Sequence, residues 1–227
     1  NANGYDYLND TRNITIELPV AGFSDSGNSF TSVKESSLAF ADYDNDGDWD
    51  LVISGDDGSN KVSKFYNNNL GTFTADTGYT IEDFDLGSMS FGDIDRDGDL
   101  DLVAMGDNGT QFSIVYLNNG SAMNKFQELT GMDQGSNMLA DIDNDGDLDL
   151  GRSGSTDGSS SGVNSSIYYY NGSFTHSIDL NGLFQSSIAI GELNNNSKLD
   201  LLLSGSTESS DGTYIFNQSN TFVNVQN

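Results

Sequence analysis

The chain has 227 residues, 35% of them hydrophobic, which is enough to bury the core of one large domain or of two small ones. Its 35 acidic residues against 8 basic ones give a formal charge of −27, which excludes nucleic acid as a partner and favours cations. Because there is no cysteine and only one histidine, disulfides, thiolate metal sites and cysteine nucleophiles are excluded and acid–base chemistry is limited.

No apolar run in the sequence is long enough to span a membrane. Because residue 1 is Asn, we expect a processed product or a fragment of a longer protein. Asn, Ser, Gly and Asp dominate the sequence and Pro occurs once, which is typical of many short strands joined by turns.

The first predicted element is a β-hairpin at Tyr7–Ile16, where apolar residues flank an Asn/Asp turn. The next is a pair of strands at Leu38–Gly55 around an aspartate-rich loop. Apolar residues alternate on both sides of this loop, as at Leu38 and Phe40, and this alternation predicts strands. An aromatic hairpin with an Asn/Gly turn follows at Lys64–Phe73.

Both the acidic segment and the aromatic hairpin then recur along the chain. The acidic loops begin at residues 42, 93, 141 and 192, at intervals of 51, 48 and 51 residues. Further acidic segments lie at Met89–Gly106, Asn137–Gly154 and, in weaker form, Ile188–Gly205. Further aromatic hairpins lie at Val115–Phe126, Tyr168–Phe174 and Tyr214–Phe222. The sequence is therefore one unit repeated about every fifty residues.

Four antiparallel strands in about fifty residues match the size of a propeller blade. The sequence therefore predicts an all-β fold, a β-propeller of which about four and a half four-stranded blades are present. We interpret 1–227 as one domain, with a partial blade at 1–31 and repeats at 32–83, 84–130, 131–181 and 182–227. The acidic loops should lie at one end of the blades and polar connections at the other. These connections are Gly55–Lys61, Gly106–Thr110, Gly154–Ser166 and Gly205–Gly212.

Three acidic loops carry aspartate at positions 1, 3, 5, 7 and 9 and glycine at position 6. They contain Asp42, Asp44, Asp46, Asp48 and Asp50; Asp93, Asp95, Asp97, Asp99 and Asp101; and Asp141, Asp143, Asp145, Asp147 and Asp149. Calcium needs roughly six to eight oxygens, and carboxylates at positions 1, 3, 5 and 9 with the backbone carbonyl of position 7 can converge on one ion. The position-7 side chains are expected to face water.

The alternative interpretation of these loops is that they are solvated acidic turns, since Asp and Gly favour turns. Three copies that match at five fixed positions favour calcium instead. An EF-hand needs Glu at position 12 and flanking helices, whereas position 12 here is Ile53, Ala104 or Arg152 within predicted strands. Magnesium fits less well because it requires a smaller octahedral shell.

The fourth loop differs at the positions that would bind an ion. It carries Glu192, Asn194, Asn196, Lys198 and Asp200, with Ser197 in place of the turn glycine. Fewer acidic ligands and an added positive charge weaken a fourth calcium site, and the alternative is a loop held by its own hydrogen bonds. The sequence therefore predicts three calcium ions and leaves a fourth open.

The motif D-x-D-x-D-G-x-x-D between two short strands, preceded by Phe40-Ala41 or Phe91-Gly92, resembles the FG-GAP or VCBS-type repeat. The resemblance covers residues 32–227 and implies the calcium-bearing β-propeller of integrin α subunits, with the aspartates at positions 1, 3, 5 and 9 as ligands. Such propellers usually close with about seven blades. This chain is therefore part of a longer protein, closes five blades tightly, or has its missing strands supplied by a neighbouring chain.

The sequence contains no nucleophile paired with a base, no zinc cluster and no phosphate loop. No catalytic residue is therefore predicted, and the chain is expected not to be an enzyme. We interpret His176 as an exposed strand residue, and Trp49 and Tyr168–Tyr170 as packing residues within the blades.

These features favour an extracellular or cell-surface module that binds protein or glycan through the end opposite the calcium loops. Millimolar calcium outside cells suits sites of modest affinity. One rival hypothesis is a structural subunit of a surface assembly or filament, in which copies of the chain complete one another's blades. The other is part of a polysaccharide-acting enzyme.

Overall fold

The computed structural model describes residues 24–207, 210–218 and 222–224. The strands are β1 (Lys34–Ala41), β2 (Asp50–Asp56), β3 (Lys61–Asn69), β4 (Thr72–Asp76), β5 (Asp85–Gly92), β6 (Asp101–Asp107), β7 (Gln111–Asn118), β8 (Met123–Ala140), β9 (Asp149–Ser155), β10 (Val163–Tyr170), β11 (Phe174–Leu180), β12 (Phe184–Gly191), β13 (Asp200–Ser206), β14 (Asp211–Gln218) and β15 (Phe222–Asn224). The described residues form no helix, and so none that could cross a bilayer. The hairpin predicted at Tyr7–Ile16 lies outside them.

Each acidic loop joins two antiparallel strands, and each aromatic hairpin adds two more. Strands β1 to β4 form one sheet in chain order, and β12 to β15 form another. Phe40 lies opposite Leu51 across the first acidic hairpin, and Tyr66 lies opposite Ala75 across the first aromatic hairpin. The prediction of an all-β fold built from antiparallel sheets is confirmed.

The two middle units share one seven-stranded sheet, β5 to β11, instead of forming two separate four-stranded blades. The cause is β8, which pairs with β7 as far as Met132 and with β9 from Asp133 onwards. Glycines permit this course. A Cβ at Gly131 would lie 2.0 Å from a backbone oxygen of β7, and one at Gly135 would lie 1.8 Å from a backbone oxygen of β9.

We number the repeats by their strands: repeat 1 is β1–β4, repeat 2 is β5–β7 with residues 123–132, repeat 3 is residues 133–140 with β9–β11, and repeat 4 is β12–β15. Successive side chains of a strand point to opposite sides of its sheet. We call the side that contacts the following repeat the forward face, and the other side the backward face. In repeat 2 both faces are apolar and each packs on a neighbouring repeat. Strand β6 is therefore buried from Asp101 to Gly106.

The hydrophobic core lies between successive repeats. At the first junction Tyr43, Val52 and Phe65 of repeat 1 pack against Met89 and Leu102 of repeat 2. The second junction contains Ile94, Val103, Val115, Leu150, Tyr168, Tyr170 and Phe174. The third contains Ile142, Ile167, Leu183, Ile188, Leu201, Leu203 and Phe216. Stacking of repeats therefore supplies most of the burial that a single thin sheet lacks.

The outermost faces of repeats 1 and 4 are only partly covered; on repeat 1, Leu51, Ile53 and Tyr66 form a buried cluster. On the backward face of repeat 1, Leu38 is 62% exposed and Phe40 is 56% exposed. The segment before β1 covers only part of this face, where Phe30 packs edge-on against Tyr66 and Phe73. On the forward face of repeat 4 the exposed apolar residues are Leu193, Leu202 and Ile215.

Three predictions about single residues have different outcomes. His176 is exposed in β11, as predicted, and Tyr168–Tyr170 lie in the clusters between repeats. The prediction that Trp49 packs within a blade is wrong, because its side chain is 66% exposed. Its counterpart in repeat 3, Leu148, lies against Gly92 of the preceding repeat, a contact that Trp49 lacks in the described residues.

Arg152 of β9 is a charged side chain inside the second junction and is only 1% exposed. Nη1 donates to the carbonyl of Thr130 at 2.6 Å, and Nη2 donates to the hydroxyl of Tyr168 at 2.7 Å. The guanidinium lies 4.6 Å from the centre of the Tyr168 ring, while its Nε has no hydrogen-bond partner. Burial lowers the pKa of Arg152, which shows the cost of placing this charge in the core.

We expect Arg152→Met to leave the free energy of unfolding unchanged or to raise it by about 1 kcal/mol, because methionine fills similar volume without desolvating a charge. Arg152→Ala should instead lower it by about 2–5 kcal/mol, since the truncation leaves a cavity. Urea unfolding with excess calcium measures both values. A loss of more than about 2 kcal/mol in the methionine variant would show that the guanidinium bonds outweigh its desolvation.

Candidate metal centres

Each of the three aspartate-rich loops brings three carboxylates together. Ligand atoms within each group lie within 4.8 Å of one another. The groups are Asp42, Asp44 and Asp50; Asp93, Asp95 and Asp101; and Asp141, Asp143 and Asp149. The turn glycine of the first loop, Gly47, has a φ of 94°, a left-handed conformation that glycine adopts without strain. The loop geometry thus places positions 1, 3 and 9 around one point.

The aspartate at position 9 also joins two parts of its repeat. Asp101 is fully buried, and its Oδ2 accepts a hydrogen bond from the Ile94 N–H at 2.7 Å. Its Oδ1 accepts one from the Asn118 N–H at 2.8 Å. Asp50 and Asp149 make the equivalent bonds in their repeats. One carboxylate therefore ties the acidic loop to the end of the third strand, a role that the sequence analysis missed.

Burial raises the pKa of Asp50, Asp101 and Asp149 to about 6. The backbone N–H bonds oppose this rise and neighbouring carboxylates add to it. Burial also raises the pKa of the position-3 aspartates, with the position-5 carboxylate as the second cause; these are Asp44, Asp95 and Asp143. The loops therefore hold like charges close together in partly dry surroundings, where a cation would be strongly favoured.

The position-1 aspartates carry an oxygen with no hydrogen-bond partner. Oδ1 of Asp42, Asp93 and Asp141 is buried, and nothing in the described residues donates to it. A buried acceptor left in this state costs about 1–3 kcal/mol, and more when it is charged. The donor set at each site is all oxygen and negatively charged, which fits a hard cation such as calcium.

Position 5 lies outside the converging groups. Oδ1 of the position-5 aspartate accepts the N–H of position 7 at 2.9 Å in each loop; these aspartates are Asp46, Asp97 and Asp145. All three side chains are exposed. The position-5 carboxylates nonetheless lie close enough to those of position 3 to raise their pKa.

The position-7 side chains, expected to face water, are partly exposed and each also has a protein partner. Asp48 accepts the Leu70 N–H at 2.9 Å, and Asp99 accepts from Nδ2 of Asn45 at 2.6 Å. Asp147 forms an ion pair with Arg96. The last two contacts run from position 4 of one loop to position 7 of the next, because stacking places successive loops side by side. Such contacts depend on the spacing between repeats, which the sequence does not specify.

The fourth loop uses its polar groups internally. Oε1 of Glu192 accepts the N–H groups of Asn194 at 2.9 Å and Asn196 at 3.2 Å, and also that of Asn195. Nδ2 of Asn194 donates to Asp200 at 3.0 Å, and Asp200 also accepts the Leu193 N–H at 3.0 Å. These bonds support the alternative of a loop held by its own hydrogen bonds. Asp200 retains the bond to the loop that the position-9 aspartates make in the other repeats.

A further acidic group, Glu35, Asp56 and Asp85, lies away from the loops. Lys34 contacts Asp56 at 2.9 Å, and Lys61 contacts Asp85 at 3.0 Å. These ammonium groups already supply the positive charge that a metal would bring. The loops are therefore the candidate cation sites in the part of the chain that the structure describes.

Comparison with known families supports the repeat assignment. The model of the FG-GAP-like repeat family matches residues 42–104 and 93–151. Each match begins at a position-1 aspartate and extends past the following acidic loop. The resemblance predicted from the loop motif is thereby confirmed. A search of curated proteins found no significant match to the chain.

Removing a position-9 aspartate, which accepts backbone hydrogen bonds, should change the free energy of unfolding differently from removing an aspartate that would only bind metal. Asp200→Ala is expected to lower the free energy of unfolding by about 1–3 kcal/mol in calcium and in chelator alike, since it leaves the Leu193 N–H without its acceptor. Asp93→Ala should lower it in calcium only, because Oδ1 of Asp93 has no partner to lose. Guanidinium unfolding in both buffers measures this. An Asp200→Ala loss that vanishes in chelator would indicate a metal at the fourth loop.

Without calcium, the chain should gain stability as pH falls from about 7 to 5. The folded pKa of about 6 at Asp50, Asp101 and Asp149 exceeds the ordinary 3.8, so the folded state takes up protons first. This gain is complete below the ordinary pKa and is lost as pH rises through about 6. With calcium, stability should instead decrease as pH falls, because protons compete with calcium for the carboxylates. Thermal melts in chelator and in calcium test this; a falling midpoint in chelator between pH 7 and 5 would contradict it.

Proposed function

Because residues 42–151 match the model of the FG-GAP-like repeat family, we propose that the chain is a non-enzymatic, calcium-stabilised β-propeller module that recognises protein or glycan ligands outside the cell. The observation that carries this proposal is one carboxylate arrangement built three times, each time with a buried oxygen that lacks a hydrogen-bond partner. A cation in each of these three loops would supply the missing partner and offset the repulsion.

The arrangement of the first strands supports a propeller. Strand β1 contacts β5, β5 contacts β8, and β8 contacts β12. These strands begin successive repeats, so they stand side by side as the innermost strands of blades do around a propeller axis. The last strands β4, β11 and β15 are each paired on one side only, as expected for the outer rim.

Calcium would contribute a large share of the stability. At a free concentration one hundred times its dissociation constant, each ion adds about 2.7 kcal/mol, so three add about 8 kcal/mol. The whole free energy of unfolding of a typical domain is about 5–15 kcal/mol. Extracellular calcium is millimolar, which would keep sites of modest affinity filled. We infer an extracellular location because the calcium concentration there would fill sites of modest affinity.

Recognition is assigned to the end opposite the acidic loops. The connections there are polar and carry their own turn bonds, such as those from Ser59 and Asn60 to Asp57. Among the connections between the second and third strands of a repeat, the longest joins β9 to β10 and contains Ser159 and Ser161. Loops held on a rigid scaffold are common binding elements.

Calorimetric titration is expected to give three calcium ions per chain, and the melting midpoint should rise with calcium and fall with chelator. Asp93→Ala should reduce the stoichiometry to two, since one of the three position-1 ligands is removed. Magnesium at the same concentration should stabilise less. An equal midpoint in calcium and in chelator would refute a stabilising metal.

The recognition part is tested on a panel of immobilised glycans and extracellular proteins in calcium. Ser161→Lys, in the exposed β9–β10 connection, should weaken binding of any ligand found. Asn171→Lys, exposed at the acidic-loop end of the same repeat, is the matched control and should leave it unchanged. Loss of binding in the control alone would place recognition at the acidic-loop end.

A further inference from the structure

The second junction, between repeats 2 and 3, encloses a positive charge that no carboxylate among the described residues neutralises. Arg152 is 1% exposed, and burial lowers its pKa while only Tyr168 opposes this effect. Its Nη1 and Nη2 donate hydrogen bonds to the carbonyl of Thr130 and the hydroxyl of Tyr168, and its Nε has no partner. A buried charge is ordinarily paired with a charge of opposite sign. This guanidinium therefore lacks the partner that its burial calls for.

Two buried serine hydroxyls in the same junction also lack a hydrogen-bond partner. They are Oγ of Ser113 on the forward face of repeat 2 and Oγ of Ser166 on the backward face of repeat 3. The two residues are 2% and 1% exposed. Ser166 lies directly opposite Arg152 in the register of β9 and β10, so the two side chains stand next to each other on one side of the sheet.

The strand register places these groups in two facing rows. On the forward face of repeat 2 the row is Ser88, Met105, Ser113 and Leu129. On the backward face of repeat 3 the row is Asn137, Arg152 and Ser166. Nδ2 of Asn137 donates to the carbonyl of Ser88 at 3.2 Å, and Arg152 reaches Thr130, the residue after Leu129. The rows thus meet across the junction, with a serine of each row on its third strand.

The groups without partners are hydrogen-bond donors. A guanidinium N–H can only donate. The hydroxyl of Tyr168 already accepts from Nη2, so its own proton is left to donate, and the two serine hydroxyls can donate as well. A water molecule would accept only about two of these bonds and would need acceptors for its own protons. A small anion accepts from several donors at once and also neutralises the guanidinium.

The equivalent positions in the neighbouring repeats are apolar. Ala104 in repeat 2 and Leu203 in repeat 4 occupy the place of Arg152, and Ile114 in repeat 2 occupies the place of Ser166. Packing between repeats therefore does not require a charge at this point. The arginine and the serine beside it are particular to the second junction.

We propose that the second junction binds one chloride ion, held between Nε of Arg152 and the hydroxyls of Ser113 and Ser166. The chain carries a net charge of −27, so an anion is retained only where a local positive charge has no other counterion. The ion completes the hydrogen bonds of both rows and links repeat 2 to repeat 3. This site is separate from the acidic loops and does not depend on a recognition ligand.

Thermal melts of the full chain test this site at constant calcium and constant ionic strength, with chloride replacing the much larger gluconate anion. The wild-type midpoint should rise with chloride concentration, because an ion that binds only the folded state stabilises it. Arg152→Met should lose this rise. Crystals of the wild type grown in bromide should show an anomalous scattering peak beside Nε of Arg152, which tests the site without any substitution.

Two serine variants separate a specific site from a general effect of salt. Ser166→Ala should require about tenfold more chloride for the same rise, since it removes one hydrogen bond to a charged group. Ser54→Ala is the matched control. Ser54 is also fully buried with an unpartnered Oγ, but it lies in repeat 1, so its variant should keep the wild-type response. Circular dichroism checks that each variant is folded.

An equal response to chloride in the wild type and in Arg152→Met overturns the proposal, as does a bromide-grown crystal with only water density beside Nε. A response that falls as much in Ser54→Ala as in Ser166→Ala reflects loss of stability rather than loss of a ligand, and overturns it as well. If Arg152→Met does not fold, the comparison of the two serine variants and the bromide peak decide the question.

Discussion

A buried carboxylate at the start of the second strand is the interaction on which each repeat depends. In repeat 2 it accepts backbone hydrogen bonds from both the acidic loop and the end of the third strand. Because these segments belong to different hairpins, one side chain sets their relative position. The arrangement persists in part in the fourth repeat, where Asp200 still holds its loop although several acidic ligands are replaced.

The candidate cation sites are built on top of this structural role. Burial raises the pKa of this carboxylate although backbone donors stabilise its charged form, and two further aspartates face it in each of three loops. The folded chain without an ion therefore stores electrostatic repulsion where its hairpins meet. An ion there would convert a source of repulsion into a link between the loop and the sheet.

Much of the fold could be predicted from the sequence because its signals are local. Alternating apolar residues specify strands, and the spacing of Asp and Gly specifies turns. The features that were missed depend on neighbours. Alternation assigns Leu38 and Phe40 to one face but does not show whether another repeat covers that face. Likewise, the partner of Asp147 is Arg96 of a different loop, and only stacking of the repeats brings the two together.

Polar residues inside the junctions illustrate the same limit. Asn137 occupies a position that is apolar in the other repeats, and its Nδ2 donates to the carbonyl of Ser88 at 3.2 Å across the second junction. Arg152 lies in the same junction. Hydrophobic patterning would assign both places to apolar side chains. The second junction thus combines apolar packing with directional bonds that fix the register between repeats 2 and 3.

The continuous strand β8 gives this pair of repeats a distinct mechanical character. Elsewhere, successive repeats are joined by irregular segments, at 77–84 and 181–183. A pulling force along the chain can straighten those segments and peel the repeats apart a few contacts at a time. Between repeats 2 and 3 the same force acts along a strand bonded to β7 and to β9. Its ladder bonds must shear together, so repeats 2 and 3 form the part of the chain most resistant to tension.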